Sequence, residues 1–307
     1  MYLLARAVYY LSLQGGIIVF SFVLFHAIPS DPARVILGPN AEEAQVAALR
    51  AELGLDAPLP VQFLSYLAKV GRLDFGFSYV DRRSVSAEVV SKLQVSLVLL
   101  ASSFSLMMVY LVGVIVAEAL LGAGVGDRLD FLWMSTPTMF SGVLVALLSG
   151  RFYPFSTFSG SFDRIEEFLY FLPPAFVLAL YPMAILSRIV REEMRTIGRS
   201  TYIQTARALG LPEGKILAKY VLKNALVPFL AAMSNQIPIL FTGAFVVEVI
   251  FSIPGIGSIL IRSLLQRDFP MLEGIVILNG LVVLAVYLAV EAIYPIVDPR
   301  IRGAHAQ

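Results

Sequence analysis

Few residues in this chain have the type and spacing that chemistry needs. Histidine occurs twice, at His26 and His305, and cysteine not at all. The helical two-histidine motif H-E-x-x-H, which seats zinc with a general base between the ligands, is therefore absent. Zero cysteine removes disulfides, thiolate metal sites and cysteine nucleophiles. One segment resembles a nucleotide loop: Gly210-Leu211-Pro212-Glu213-Gly214-Lys215-Ile216. A phosphate-wrapping loop needs four residues between its glycines, and Ser or Thr after the lysine to hold magnesium. Here the gap is three and isoleucine follows, so the segment is rejected. No G-x-S-x-G elbow occurs. Three acids, Glu118, Glu248 and Glu291, border long apolar runs, and of the polar residues within such runs those near mid-span stand out: Ser102, Ser103, Ser105, Asn235, Gln236 and Asn279. The expectation is a non-enzyme with no cofactor of its own. Energy for any active transport must come from an ion gradient or from another subunit.

The elements that hold these groups follow from composition. The 307 residues include 23 Lys+Arg against 22 Asp+Glu, and 58% are apolar. Mean hydropathy is +0.80. Charged residues make up 15%, against roughly 25% for an ordinary soluble domain. A water-soluble fold of this length has no interior large enough for so much apolar surface, so a bilayer is the expected solvent. The balanced charge argues against a nucleic-acid binder, and the apolarity against a disordered chain.

A helix needs about 20 residues to cross the hydrocarbon core, and charges at its centre are costly. Six charge-free windows approach that length: 7–30, 93–117, 131–150, 168–187, 224–247 and 274–290. The last is short, with Tyr294 beyond it as an interfacial anchor. The window 249–261 is shorter still, carries Pro254, Gly255 and Gly257, and reads as a re-entrant or surface element. The first window follows Arg6 as a signal peptide would, but it is too long and no A-x-A site follows; a retained span is expected.

Positive charge marks the cytoplasmic side. Residues 188–223 carry eight basic against three acidic residues, whereas 31–92 carry seven against eight. The first segment is expected inside, the second outside, and with six spans both termini inside, in agreement with Arg6, Arg300 and Arg302. The 151–167 loop is expected outside.

The 31–92 segment is too long for a plain connection. An amphipathic helix is expected between Pro39-Asn40 and Gly54, with Val46, Leu49 and Leu53 on one face, and a second helix over 61–70. It is either a packed cap or a docking surface for an external partner. Within the inner loop, Ser200-Thr201 can cap a helix that Gly210 ends and Pro212 follows. Tyr202, Ala206 and Leu209 form an apolar stripe on it, with Gln204 and Arg207 elsewhere. A helix this short needs a packing partner. Arg188, Arg191, Arg195 and Arg199 line one face before it, and Lys215, Lys219 and Lys223 repeat every four residues after it. Both stripes suit lipid headgroups or a protein partner. The mid-span polar groups are either interhelical hydrogen bonds or the lining of a translocation path. For the path the candidates are Ser103, Asn235, Gln236, Glu248 and Asn279.

Residues 202–211, YIQTARALGL, followed by Asn224-Ala225-Leu226-Val227-Pro228, resemble the EAA loop of ABC-transporter permeases. More narrowly they resemble the dipeptide/oligopeptide permease family. The resemblance continues through residues 246–257 (VVEVIFSIPGIG), Arg267-Asp268-Phe269-Pro270 and Asp298-Pro299-Arg300-Ile301-Arg302. Upstream, Pro29-Ser30-Asp31-Pro32 and residues 53–62 also match this family's external segment, so most of the chain is covered.

The resemblance implies an all-α, polytopic subunit of six transmembrane helices with an extracellular helical insertion between the first two. The chain then divides into the first span (1–30), the outer region (31–92), a five-helix membrane domain with a coupling loop at 188–223 (93–302), and a short tail (303–307). It implies a second homologous permease subunit, two cytoplasmic ATPase subunits (or one fused pair) that bind ATP and magnesium, and an external solute-binding protein. By the same resemblance Tyr202, Gln204, Thr205, Ala206, Arg207, Leu209, Gly210 and Leu211 would seat in a groove of the ATPase. One departure is plain: the Glu-Ala-Ala of the general pattern is Gln204-Thr205-Ala206 here. Another is that the 122–130 loop has only Arg128 as a basic residue. The expected cargo is peptides, with oligosaccharides and nickel chelates as alternatives inside the same architecture. An ion-driven secondary transporter would need a mid-membrane charged relay, and none is present.

Overall fold

The computed structural model describes residues 2–27, 31–38, 40–121, 125–152 and 165–297. The expectations placed on Pro29-Ser30, Pro39, the C-terminal Asp298-Pro299-Arg300-Ile301-Arg302 and most of the 151–167 loop lie outside these residues. The described residues are helical with one isolated bridge, between Phe77 and Ser84. They divide into two compact units, one centred on Ser96–Ile253 and the other on Ala7–Val95 with Pro254–Leu284.

Five helices are long and apolar enough to cross a membrane: Arg6–Ala27, Val85–Glu118, Leu172–Gly198, Glu213–Ile250 and Phe269–Ile293. A sixth span forms only if Gly126–Met134 and Thr138–Gly150 count as one, because a 96° bend separates them. The single uninterrupted window at 131–150 concealed this break. Pro137 explains it: proline lacks the N–H a helix needs and pushes the preceding residue out of the α region. Hydroxyls add to the hydrogen bonding of the last turn before the break, where the Thr136 N–H has left the Leu132 carbonyl for that of Trp133. Ser135 Oγ donates to the Phe131 carbonyl at 2.7 Å and Thr136 Oγ1 to that of Leu132 at 2.8 Å.

The unit around Ser96–Ile253 holds the helices on either side of the basic 188–223 segment. Helix α5 (Val85–Leu121) contributes all but its first turns. Helices α6 (Val125–Met134) and α7 (Thr138–Phe152) flank the Pro137 break. Helix α9 (Leu172–Gly198) opens with Pro173 and Pro174 in its first turn, a position that tolerates proline. It begins later than the expected window and continues without interruption through Arg188, Arg191 and Arg195. Met107, Leu180, Met183, Leu186 and Ala232 form its apolar core, with Trp133 and Phe229 packed against it.

After α9 the chain makes a short helix, α10 (Thr201–Ala208), and then α11 (Glu213–Ile216). A six-residue π-helical stretch, Leu217–Leu222, runs from α11 straight into α12 (Lys223–Ile250). Gly210 ends the α10 turn at φ +76°, a left-handed geometry that glycine adopts without a side-chain clash.

In the other unit the segment between the first two spans forms three helices rather than two: α2 (Pro32–Leu37), α3 (Glu43–Glu52) and α4 (Leu59–Gly71). Asp31 caps α2 by accepting the Ala33 N–H at 3.0 Å. Val46 of α3 is buried, Leu49 is half-buried, and Leu53 lies beyond the helix, exposed. Residues 249–261 do not form one element. Helix α12 ends at Ile250, a turn follows, and α13 (Ile256–Gln266) begins. The turn before α14 (Phe269–Val297) is pinned by Asp268, whose carboxylate accepts the Ser78 hydroxyl and the Tyr79 N–H, while Arg262 forks onto Asp81 at 2.8 and 2.9 Å. Burial, with the Glu273 and Asp268 carboxylates nearby, pushes the Tyr79 phenol up to about 12.

Candidate coupling site

Helix α10 is eight residues long and could not persist alone in water. Its anchor is a small apolar core of Ile203, Ala206, Ile216 and Val221, backed by Met194, Ile197, Leu211, Leu217 and Tyr220. Ile203 is fully buried, whereas Tyr202 is 48% and Leu209 76% exposed. The Tyr202/Ala206/Leu209 stripe is therefore divided: Ala206 faces the chain's own core, and the other two face away from it. Ile203 is the residue the stripe omitted, although its i, i+3 spacing to Ala206 was legible.

The polar residues of α10 stay local. Ser200 stands at the N-cap, but its hydroxyl donates back to the Ile197 carbonyl and does not cap the helix. Gln204 Nε2 donates to the Arg199 carbonyl at 3.1 Å, and Thr205 Oγ1 to that of Thr201 at 2.9 Å. Arg207 reaches Glu213 at 2.7 Å and the Gly198 carbonyl at 3.2 Å, tying α10 to α11 and to the end of α9. The Glu213 hydrogen bond raises the Arg207 guanidinium above its already high range.

Two turns earlier on α9, the arginine stripe is not a uniform surface. Arg191 is 2% exposed. Its guanidinium bonds Glu118 and Asp127, each at 2.8 Å, and also Asp130, while Nε donates to Ser187 Oγ at 3.3 Å. Arg195 reaches Asp127 at 3.0 Å and Glu118 at 3.4 Å. Tyr110 donates its hydroxyl to Asp130 at 2.7 Å. Arg191 is thus turned away from headgroups and from any partner. Glu118, expected to be solvated at an interface or bonded to a neighbouring helix, takes the second role. Gly126 makes room: a Cβ there would stand 2.7 Å from Arg191 Nη1 and 2.6 Å from Val114 Cγ1. A cavity of about 460 Å³ separates this cluster from α10 and α11; its lining includes Ile115, Glu118, Met194, Arg199, Glu213 and Ile216.

The path candidates are scattered in environment. Ser103 is fully buried and its hydroxyl donates to the Leu99 carbonyl at 2.8 Å within its own helix. Glu248 is fully buried and accepts the Ser96 hydroxyl at 2.5 Å. Glu291 pairs with Arg6 at 3.5 Å. Gln236 is buried with an Oε1 that has no partner among the described residues, while adjacent Asn235 is exposed and Asn279 half-buried. Ser102 and Ser105 line a groove of about 440 Å³ with Val98, Val109, Phe168 and Leu172.

Comparison with known proteins agrees with the element pattern. Residues 110–303 match the family described as binding-protein-dependent transport system inner membrane component, and residues 2–101 match the N-terminal region of such membrane components. The glutathione transport system permease protein GsiC of Salmonella typhimurium is 32% identical over 289 residues, covering 94% of this chain and 93% of the relative. A putative peptide transport system permease protein of Brucella abortus is 32% identical over 293 residues, covering 92% and 93%.

Proposed function

The chain belongs to the binding-protein-dependent transport system inner membrane components, the permease subunits of ABC importers, and on that premise we propose that it admits small peptides, glutathione among them. Both of the relatives named above carry a glutathione or peptide designation over nearly their full length, which supports this cargo class. The assembly proposed is two permease subunits, two ATPase subunits that bind and hydrolyse ATP, and a solute-binding protein that delivers cargo. The basic 188–223 segment faces the cytoplasm, the 31–92 segment faces the binding protein, and both termini lie inside.

One observation carries the coupling assignment. Helix α10 is anchored by Ile203 and Ala206 yet leaves Leu209 and about half of Tyr202 uncovered at its two ends. Exposed apolar groups on a firmly held short helix suit insertion into a protein groove. Tyr202, Leu209 and Gly210 are the contact, with Gln204, Thr205 and Leu211 at its edge; Ala206 and Arg207 hold the helix from behind. Along the path, Ser102, Ser105 and Asn235 are the polar groups that remain accessible in this subunit. Ser103 and Glu248 brace the helices behind them.

The test is Leu209→Asp with Tyr202→Asp in the reconstituted complex, using glutathione and trialanine as cargo. The helix keeps its buried anchor, so the permease should still insert in the membrane. ATP hydrolysis stimulated by cargo-loaded binding protein should fall at least tenfold. Unchanged stimulation would remove α10 from the ATPase contact.

A further inference from the structure

Arg191 lies where its charge contributes least to stability and most to geometry. A buried ion cluster returns little net free energy, because desolvation of its members offsets their attraction. A guanidinium, however, presents five donors in a rigid planar fork. Here that fork joins three separate stretches of chain: Glu118 near the end of α5, Asp127 and Asp130 on α6, and Ser187 on α9 itself. Arg195 repeats two of these links one turn on. Gly126 lets the backbone approach the group so closely that a Cβ there would displace the guanidinium or the Val114 side chain.

The cluster also has a defined relation to α10. Arg191 and Gly198 stand on one uninterrupted helix, seven residues apart, which is about 10 Å along its axis. Gly198 is bonded to Arg207 of α10, and Met194 and Ile197 of the same helix pack into the α10 core. Between α10 and the end of α5 there is instead the 460 Å³ cavity. A push on α10 therefore reaches α5 and α6 along α9, through Arg191 together with the packing of Trp133 on that helix, and not across the gap.

We propose that Arg191 is a positioning residue of the transport cycle: it clamps α5 and α6 to the terminal turns of α9, so that displacement of α10 moves these helices as one body. This rests on the reading of α10 as the ATPase contact. Removing the clamp should leave ATP hydrolysis running while α6 no longer follows α10.

The chain has no cysteine, so spin labels can be placed at Ala208→Cys and Arg128→Cys in the assembled complex, both positions being exposed. The distance between them is measured without nucleotide and with ATP and vanadate. In the otherwise unaltered chain the distance should be the same in both states. In Arg191→Gln it should match without nucleotide and shift by several ångströms, with broadening, once nucleotide is trapped. If Arg191→Gln fails to assemble, Gly126→Ala serves; it keeps every charge and displaces the guanidinium. An unchanged distance in the trapped variant overturns the proposal. So does a distribution already broadened without nucleotide and unaltered by it, which marks a structural role alone. Shielding of the Ala208 label by the ATPase is recorded in parallel; its absence faults the α10 contact rather than the clamp.

Discussion

Ile203 and Leu209 are both apolar, both on or beside one short helix, and differ from nearly zero to 76% in exposure. With 3.6 residues per turn, Ala206 falls between the outward pair Tyr202/Leu209 and the inward Ile203. The buried face is thus rotated by part of one residue step from the face that spacing alone suggested. The difference is measurable. Ile203→Ser removes a fully buried side chain from a core of four and should cost the loop about 2–5 kcal/mol. Limited trypsin digestion at Arg207 and Lys215 should then accelerate markedly, whereas Leu209→Ser should leave the digestion rate unchanged. Equal acceleration in both variants would mean that α10 has no inward face.

At the scale of elements, two departures from regular helix mark where the structure spends stability. One is the Pro137 break, softened by the Ser135 and Thr136 hydroxyls. The other is the π stretch Leu217–Leu222, which joins the α10 core, through Leu217, Tyr220 and Val221, to span helix α12. Wide turns of this kind have poorer geometry than α-helix and tend to occur at functional positions. Deleting Ala218, an exposed residue of the stretch, should remove the extra residue that a wide turn holds and let the segment close into regular α-helix. Insertion into the membrane should be unaffected, while cargo-stimulated ATP hydrolysis should fall several-fold. A deletion variant that retains full stimulation would show the wide turn to be dispensable.

For the whole molecule, the near-zero net charge conceals an uneven distribution: eight basic against three acidic residues in 188–223, and seven against eight in 31–92. The proposed orientation rests on that difference, through the bias of basic loops toward the cytoplasm. Single cysteines at Gln45 and Lys215, both exposed, give a direct reading in a chain without native thiols. In intact spheroplasts an impermeant maleimide should label Gln45→Cys at once and Lys215→Cys only after permeabilisation. The reverse pattern would invert the topology.

Apolar windows, charge spacing and the YIQTARALGL segment were sufficient to establish a polytopic permease with a helical basic loop, because hydropathy and helical period are properties of consecutive residues. The π stretch, the third outer helix and the interruption at Pro137 were less legible, since each depends on which of several local geometries its surroundings favour. Only the tertiary structure decided the destination of each charge in the arginine stripe. Arg188, Arg191, Arg195 and Arg199 look alike in order of residues, yet Arg191 is enclosed by Glu118, Asp127 and Asp130 from 61 to 73 positions away. The cost of burying a charge is met only by partners that packing brings to it, and no spacing along the chain reveals which of four arginines those carboxylates will enclose.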